Sequence, residues 1–104
     1  MLDERNYQRK LIGRIEKIFP DAMIYKMDPS YRQGTPDLLI LDHDKWAMLE
    51  VKKSEKASHV GSHANNQNYW ISKLDSMSYA SKIYPENEEE VISELKDHFS
   101  EVRP

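Results

Sequence analysis

The sequence predicts an α/β (α+β) fold, a mixed four-stranded sheet with flanking helices in the order αβββαβα. Three observations predict it. Apolar residues recur at helical spacing near both ends of the chain, and short apolar runs bounded by Pro, Gly, Asn and Asp lie between them. No repeat, low-complexity tract or linker interrupts the 104 residues, so residues 1–104 read as one domain.

The first element opens at Asp3 and Glu4. Tyr7, Leu11, Ile12, Ile15, Ile18 and Phe19 then form one helical stripe. Asp3 suits the N-cap, Glu4 suits the positive end of the helix dipole, and Pro20 ends the helix. Residues 22–28 read as a first strand closed by Pro29. A turn with Gly34 at positive φ follows. Leu38-Leu39-Ile40-Leu41 is a continuous apolar run, expected to be buried on both faces. Asp42-His43-Asp44-Lys45 makes a tight turn into the return strand, residues 46–53. Residues 54–66 are rich in Ser, Gly and Asn and predict a mobile loop. A helix over about 66–77 should turn Trp70, Leu74 and Met77 inward. Residues 79–84 form the fourth strand, closed by Pro85. Asn87 then caps a final helix that buries Val91, Ile92, Leu95 and Phe99 and carries Glu88, Glu89 and Glu90 in its first turn.

Composition excludes several classes. Apolar residues are 38% and charged residues 32% of the chain, with no cysteine, so a disulfide framework, a thiolate zinc site and a cysteine nucleophile are ruled out. No run approaches the roughly 20 apolar residues of a membrane span, and the start lacks a signal peptide's apolar core. A cytoplasmic protein without membrane contact is expected. The formal charge of −3 argues at first against a nucleic-acid partner. Its distribution argues otherwise: residues 1–34 carry +2, residues 35–84 carry 0 and residues 85–104 carry −5.

Three polar residues stand where a core strand would not want them. Asp37 opens one apolar strand, while Glu50 and Lys52 interrupt the other, in Met48-Leu49-Glu50-Val51-Lys52. Alternation puts Glu50 and Lys52 on one face. A two-residue turn at His43-Asp44 sets Asp37 opposite Glu50, and a slip of one residue would set it beside Val51 instead. Two adjacent, partly buried carboxylates repel unless a proton or a cation lies between them, and Mg²⁺ suits such an oxygen pair. A lysine beside them can orient water and stabilise developing negative charge. The alternative is a turn-capping Asp37 and a simple Glu50–Lys52 ion pair on an edge strand.

Gly34-Thr35-Pro36-Asp37 followed by Glu50-Val51-Lys52 resembles the signature of the PD-(D/E)xK nuclease superfamily. The element order matches that superfamily's restriction-endonuclease-like core over nearly the whole chain. The Gly-x-Pro-Asp form and the small size look most like VRR-NUC and phage Holliday-junction-resolvase-like nucleases. The resemblance implies that Asp37, Glu50 and the Val51 carbonyl hold Mg²⁺, with Mn²⁺ able to substitute, and that Lys52 positions the attacking water. It also implies an acid in the first helix, Glu4 or alternatively Glu16, and a glutamine on the helix after the Glu-x-Lys strand, matched by Gln67. Dipole compensation for Glu4 and a solvated helix start for Gln67 are the plain alternatives.

The implied function is a metal-dependent endonuclease acting on DNA, structure-selective for branched or junction substrates, in phage-type recombination, repair or DNA processing. The rival is a noncatalytic nuclease-fold module that binds DNA or protein. Arg5, Arg9, Lys10, Arg14, Arg32, Lys53 and Lys56 are the candidate phosphate contacts and Tyr69 the candidate stacking residue. Cutting both strands would need a homodimer, and no organic cofactor is implied. The first helix and the loops near Arg32 and Lys53 are expected to face the phosphates, and the acidic tail to face away. His59 and His63 have a ligand-like spacing but lie in the polar loop without a third ligand, so they read as solvent-exposed.

Overall fold

The computed structural model describes residues 3–28, 30–59 and 64–100. Pro29, His63 and the rest of 60–63 lie outside the described residues. Helix α1 spans Glu4–Ile18. It starts where the Asp3 carboxylate accepts the Asn6 N–H at 2.8 Å, satisfying a donor that the first turn leaves without a helical partner. It ends at Phe19, one residue before Pro20. Strands β1 (Met23–Lys26), β2 (Leu38–Asp42) and β3 (Lys45–Val51) follow, then a short 3-10 helix, Lys56–His59. Helix α2 (Ala64–Met77), strand β4 (Tyr79–Ile83) and helix α3 (Glu88–Ser100) complete the order.

The four strands form one sheet in the order β1-β2-β3-β4. The first two pairs are antiparallel, and β3 pairs with β4 in parallel after the α2 crossover. In the β2–β3 hairpin Leu38 pairs with Leu49 and Asp42 with Lys45. This is the register of a two-residue turn, with His43 at φ 58 in the left-handed region that primed turns require.

The pleat divides the molecule. Leu38, Ile40, Ala47, Leu49, Val51 and Ile83 point to one face and are fully buried against Tyr7, Leu11 and Ile15 of α1 and Val91, Ile92 and Leu95 of α3. Each large aliphatic side chain there contributes roughly 1.5–3 kcal/mol of burial. The two helices lie side by side in the same direction. The Tyr7 hydroxyl donates to Glu88 at 2.6 Å at one end, and the Phe19 and Phe99 rings stand 5.2 Å apart at the other. Helix α2 covers the opposite face over β4 and β3. It starts at the end of the sheet where β3 and β4 finish, so all three helices begin at that end.

Several expectations need correction. The 54–66 segment contains the 3-10 helix, because the Ser54 hydroxyl accepts the Ala57 N–H at 3.1 Å and the Ser58 hydroxyl donates to the Glu55 carbonyl at 2.6 Å. Leu41 is 37% exposed and Met77 62% exposed; α2 lies over β3 and β4, and no described helix covers the same face of β1 and β2. Asn87 precedes α3, but its side chain turns back, accepting the Tyr84 N–H and donating to the Lys82 carbonyl. It fixes the loop after β4 instead of capping the helix. No described helix is long and apolar enough to cross a membrane.

Candidate functional site

Asp37 stands one residue before β2, in the register that brings it opposite Glu50. Its Oδ2 accepts the Val51 N–H at 2.8 Å. Pro36 is fully buried, so the residue entering the strand is held from behind. Gly34 takes φ 90, and a Cβ there would lie 2.3 Å from Trp70 Cδ1. The motif glycine therefore serves two needs, a left-handed backbone and close approach to α2.

Glu50 is only 5% exposed. Its Oε2 accepts from Gln67 Nε2 at 2.7 Å and faces Lys52 Nζ at 3.3 Å. Gln67 reaches it because the first turn of α2 lies over the end of β3. Burial pushes the Glu50 carboxyl up to about 7, helped by the charge of Asp37 and opposed by Lys52. Burial also raises Asp37, opposed by the Val51 N–H and by Lys52. Two acids that resist ionising side by side are the electrostatic signature of a place made for a proton or a cation.

The donor set fits a hard divalent cation. Protein donors occupy Asp37 Oδ2 and Glu50 Oε2, and the other oxygens, Oδ1 and Oε1, are those a cation would use. Among the described residues no group of three or more His, Cys, Asp or Glu is placed to hold a metal. Two carboxylates are nonetheless a usual complement for Mg²⁺, which keeps several waters.

The remaining candidates divide by position. The first turn of α1 lies at the site's end of the sheet, since Tyr7 bonds to Glu88 just beyond β4. Glu4 is exposed there and is not among the partners of Asp37, Glu50 or Lys52. Glu16 lies about 18 Å further along the helix axis, toward the hairpin turn. Arg5, Arg9 and Lys10 are exposed on a helix that packs against the other face of the sheet.

Arg14 is not a phosphate contact in waiting. It is bonded to Glu88 and, at 2.9 Å, to Glu89, because the side-by-side helices bring the basic stripe of α1 against the acidic first turn of α3. The acidic tail therefore does not stand apart from the first helix. The Glu86 carboxylate also accepts the Glu55 N–H, at 3.2 Å, in the loop after β3. Lys53 and Lys56 are exposed on that loop, and Arg32 is exposed beside Thr35. Tyr69 is 58% exposed on α2, edge-on to Trp70 at 5.3 Å.

Sequence reasoning missed Lys82. It pairs with Glu50 in the β3–β4 register, so Asp37, Glu50 and Lys82 form one row across three strands. Its Nζ donates to the Ser58 carbonyl at 2.7 Å. Burial and the neighbouring Lys52 lower its pKa, opposed by Glu50. Only the parallel register could have revealed it, and a crossover helix hides that register from the sequence.

No family model, curated protein or solved structure matches this chain.

Proposed function

We propose that the protein is a metal-dependent endonuclease of the PD-(D/E)xK type that hydrolyses phosphodiester bonds in DNA, with Mg²⁺ as cofactor and Mn²⁺ able to substitute. The observation that carries this reading is the meeting of Asp37, Glu50, Lys52 and Gln67 on one sheet face, with both acids pushed toward their neutral forms by burial. A binding module gains nothing from two buried acids beside a lysine, whereas hydrolysis uses all of them.

Asp37, Glu50 and the Val51 carbonyl would hold the ion, which supplies Lewis acidity toward a phosphoryl oxygen and lowers the pKa of water. The protein's part is positional. Val51 N–H and Gln67 Nε2 fix the two carboxylates, so neither must reorganise when substrate arrives. Lys52 Nζ, held against Glu50, is poised to orient the attacking water and to stabilise negative charge on the oxygens of the pentacoordinate phosphorus. Gly34 and Trp70 lock the turn that delivers Asp37. One chain supplies one such set, so cutting both strands of a duplex or junction takes two copies.

Purified protein should nick plasmid and four-way-junction DNA with Mg²⁺ or Mn²⁺ and stop with EDTA. Asp37→Ala, Glu50→Ala and Lys52→Ala should lose activity while remaining folded by circular dichroism. Cleavage by all three variants at the wild-type rate would overturn the assignment. DNA binding without metal-dependent cleavage would favour a noncatalytic module.

A further inference from the structure

On the β4 side of Glu50 a cleft of about 360 Å³ lies between α2, β4 and the 3-10 helix, joined to the site through Lys82, the strand partner of Glu50. Ser58, His59, Asn68, Ser72, Lys82 and Tyr84 are among the residues that line it. Asn68, Ser72 and Tyr84 bring neutral amide and hydroxyl groups, and Lys82 is the lining lysine. The lining carboxylate, Asp75, is turned to the backbone and accepts the Ala80 N–H at 3.1 Å. Lys82 stands one strand spacing, about 4.8 Å, from Glu50. Among the described residues its hydrogen-bond partner is the Ser58 carbonyl, which takes one of the three N–H groups an ammonium offers. Ser58 is itself 2% exposed and is tied down through its own N–H and hydroxyl to Ser54 and Glu55. The amine is thus held in place before any ligand arrives, which cuts the entropy cost of using it.

We propose that this cleft is a second phosphate subsite, which takes the phosphodiester next to the one cut at Asp37 and Glu50, with Lys82 Nζ as its cation and the surrounding hydroxyl and amide groups as neutral donors. The ligand is a nucleic-acid strand running across the sheet end from β2 to β4. The inference rests on the reading of Asp37, Glu50 and Lys52 as a phosphodiester-cutting site. A single fixed cation among neutral donors recognises backbone and not base, so the subsite adds affinity without sequence preference.

The test is fluorescence anisotropy of a short fluorescein-labelled oligothymidylate in EDTA, titrated at several salt concentrations. Lys82→Gln should weaken binding several-fold and reduce the slope of log affinity against log salt by about 0.7, the value for one single-strand phosphate contact. Lys82→Arg should restore the slope, which a purely structural role in tethering the 3-10 helix would not require. Ser72→Glu, on an exposed position of α2, adds a charge to the cleft without touching the core and should also weaken binding. An unchanged slope in Lys82→Gln, or no binding by the wild type, overturns the subsite. The expected slope change in a protein that shows no Mg²⁺-dependent cleavage supports the subsite and overturns the nuclease reading.

Discussion

Replacing Glu50 by Gln removes a charge that folding holds at a cost. In the folded chain the Glu50 carboxyl titrates at about 7, against an ordinary 4.5. At pH values between these, the folded state keeps a proton that the unfolded state has released, so raising the pH favours unfolding. The stabilising contribution is complete below about pH 4.5 and is lost as the pH climbs through 7. At 1.36 kcal/mol per unit, the loss at pH 8 is on the order of 3 kcal/mol. Glu50→Gln keeps the shape and an acceptor for Gln67 but has no proton to lose. Its stability should therefore equal that of the wild type near pH 4 and exceed it at pH 8 by as much as 3 kcal/mol, reduced by whatever Lys52 loses with its partner. Urea unfolding followed by Trp46 and Trp70 fluorescence in EDTA, from pH 4 to 8, measures the difference. Millimolar Mg²⁺ should stabilise the wild type at pH 8 and leave the variant unmoved. A variant less stable than the wild type at pH 8, or a difference independent of pH, would refute the account of Glu50 as a strained buried acid.

Other outcomes follow from the same geometry. Gly34→Ala should destabilise by at least about 1–2 kcal/mol from the left-handed backbone alone, and more from the contact with Trp70, visible as a lower urea midpoint and altered indole emission. Lys52→Ala should lower the cleavage rate about 100- to 1000-fold with little change in DNA affinity, the pattern of a group that acts on the transition state. Arg14→Ala should lower the urea midpoint by freeing Glu88 and Glu89, and should leave the salt dependence of oligonucleotide binding unchanged. His43→Asn should raise the midpoint slightly, since asparagine tolerates the left-handed region better, in a melt monitored by circular dichroism.

What could be read from the sequence was what local rules decide. The span of α1 follows from Asp3, a 3.6-residue apolar stripe and Pro20. The two-residue turn at His43-Asp44 dictates the hairpin register, and that register alone sets Asp37 beside Glu50. Gln67 is singled out only through the resemblance, which implies a glutamine on the helix after the Glu-x-Lys strand, and the structure sets it against Glu50. The features that escaped depend on contacts distant in sequence. Arg14 meets Glu88 and Glu89 only because two helices lie side by side. Leu41 and Met77 stay exposed because of where α2 is set down on the sheet, which hydrophobic pattern does not encode. Lys82 joins the row of Asp37 and Glu50 through a parallel pairing that no turn residue announces.

The common starting end of the three helices alters what a charge count means for this chain. Each helix carries roughly half a positive charge on the free N–H groups of its first turn, and α1, α2 and α3 place theirs at the end of the sheet that holds Asp37, Glu50 and Lys52. Acidic side chains answer two of these, Glu4 on α1 and Glu88, Glu89 and Glu90 on α3, whereas the first turn of α2 has none. This part of the protein's field comes from peptide bonds. It does not titrate, it does not appear in the formal −3, and changing a side chain's charge does not remove it. Three of the seven acids in residues 85–104, Glu88, Glu89 and Glu90, stand in the first turn of α3, against a backbone polarity aimed at one end of the fold.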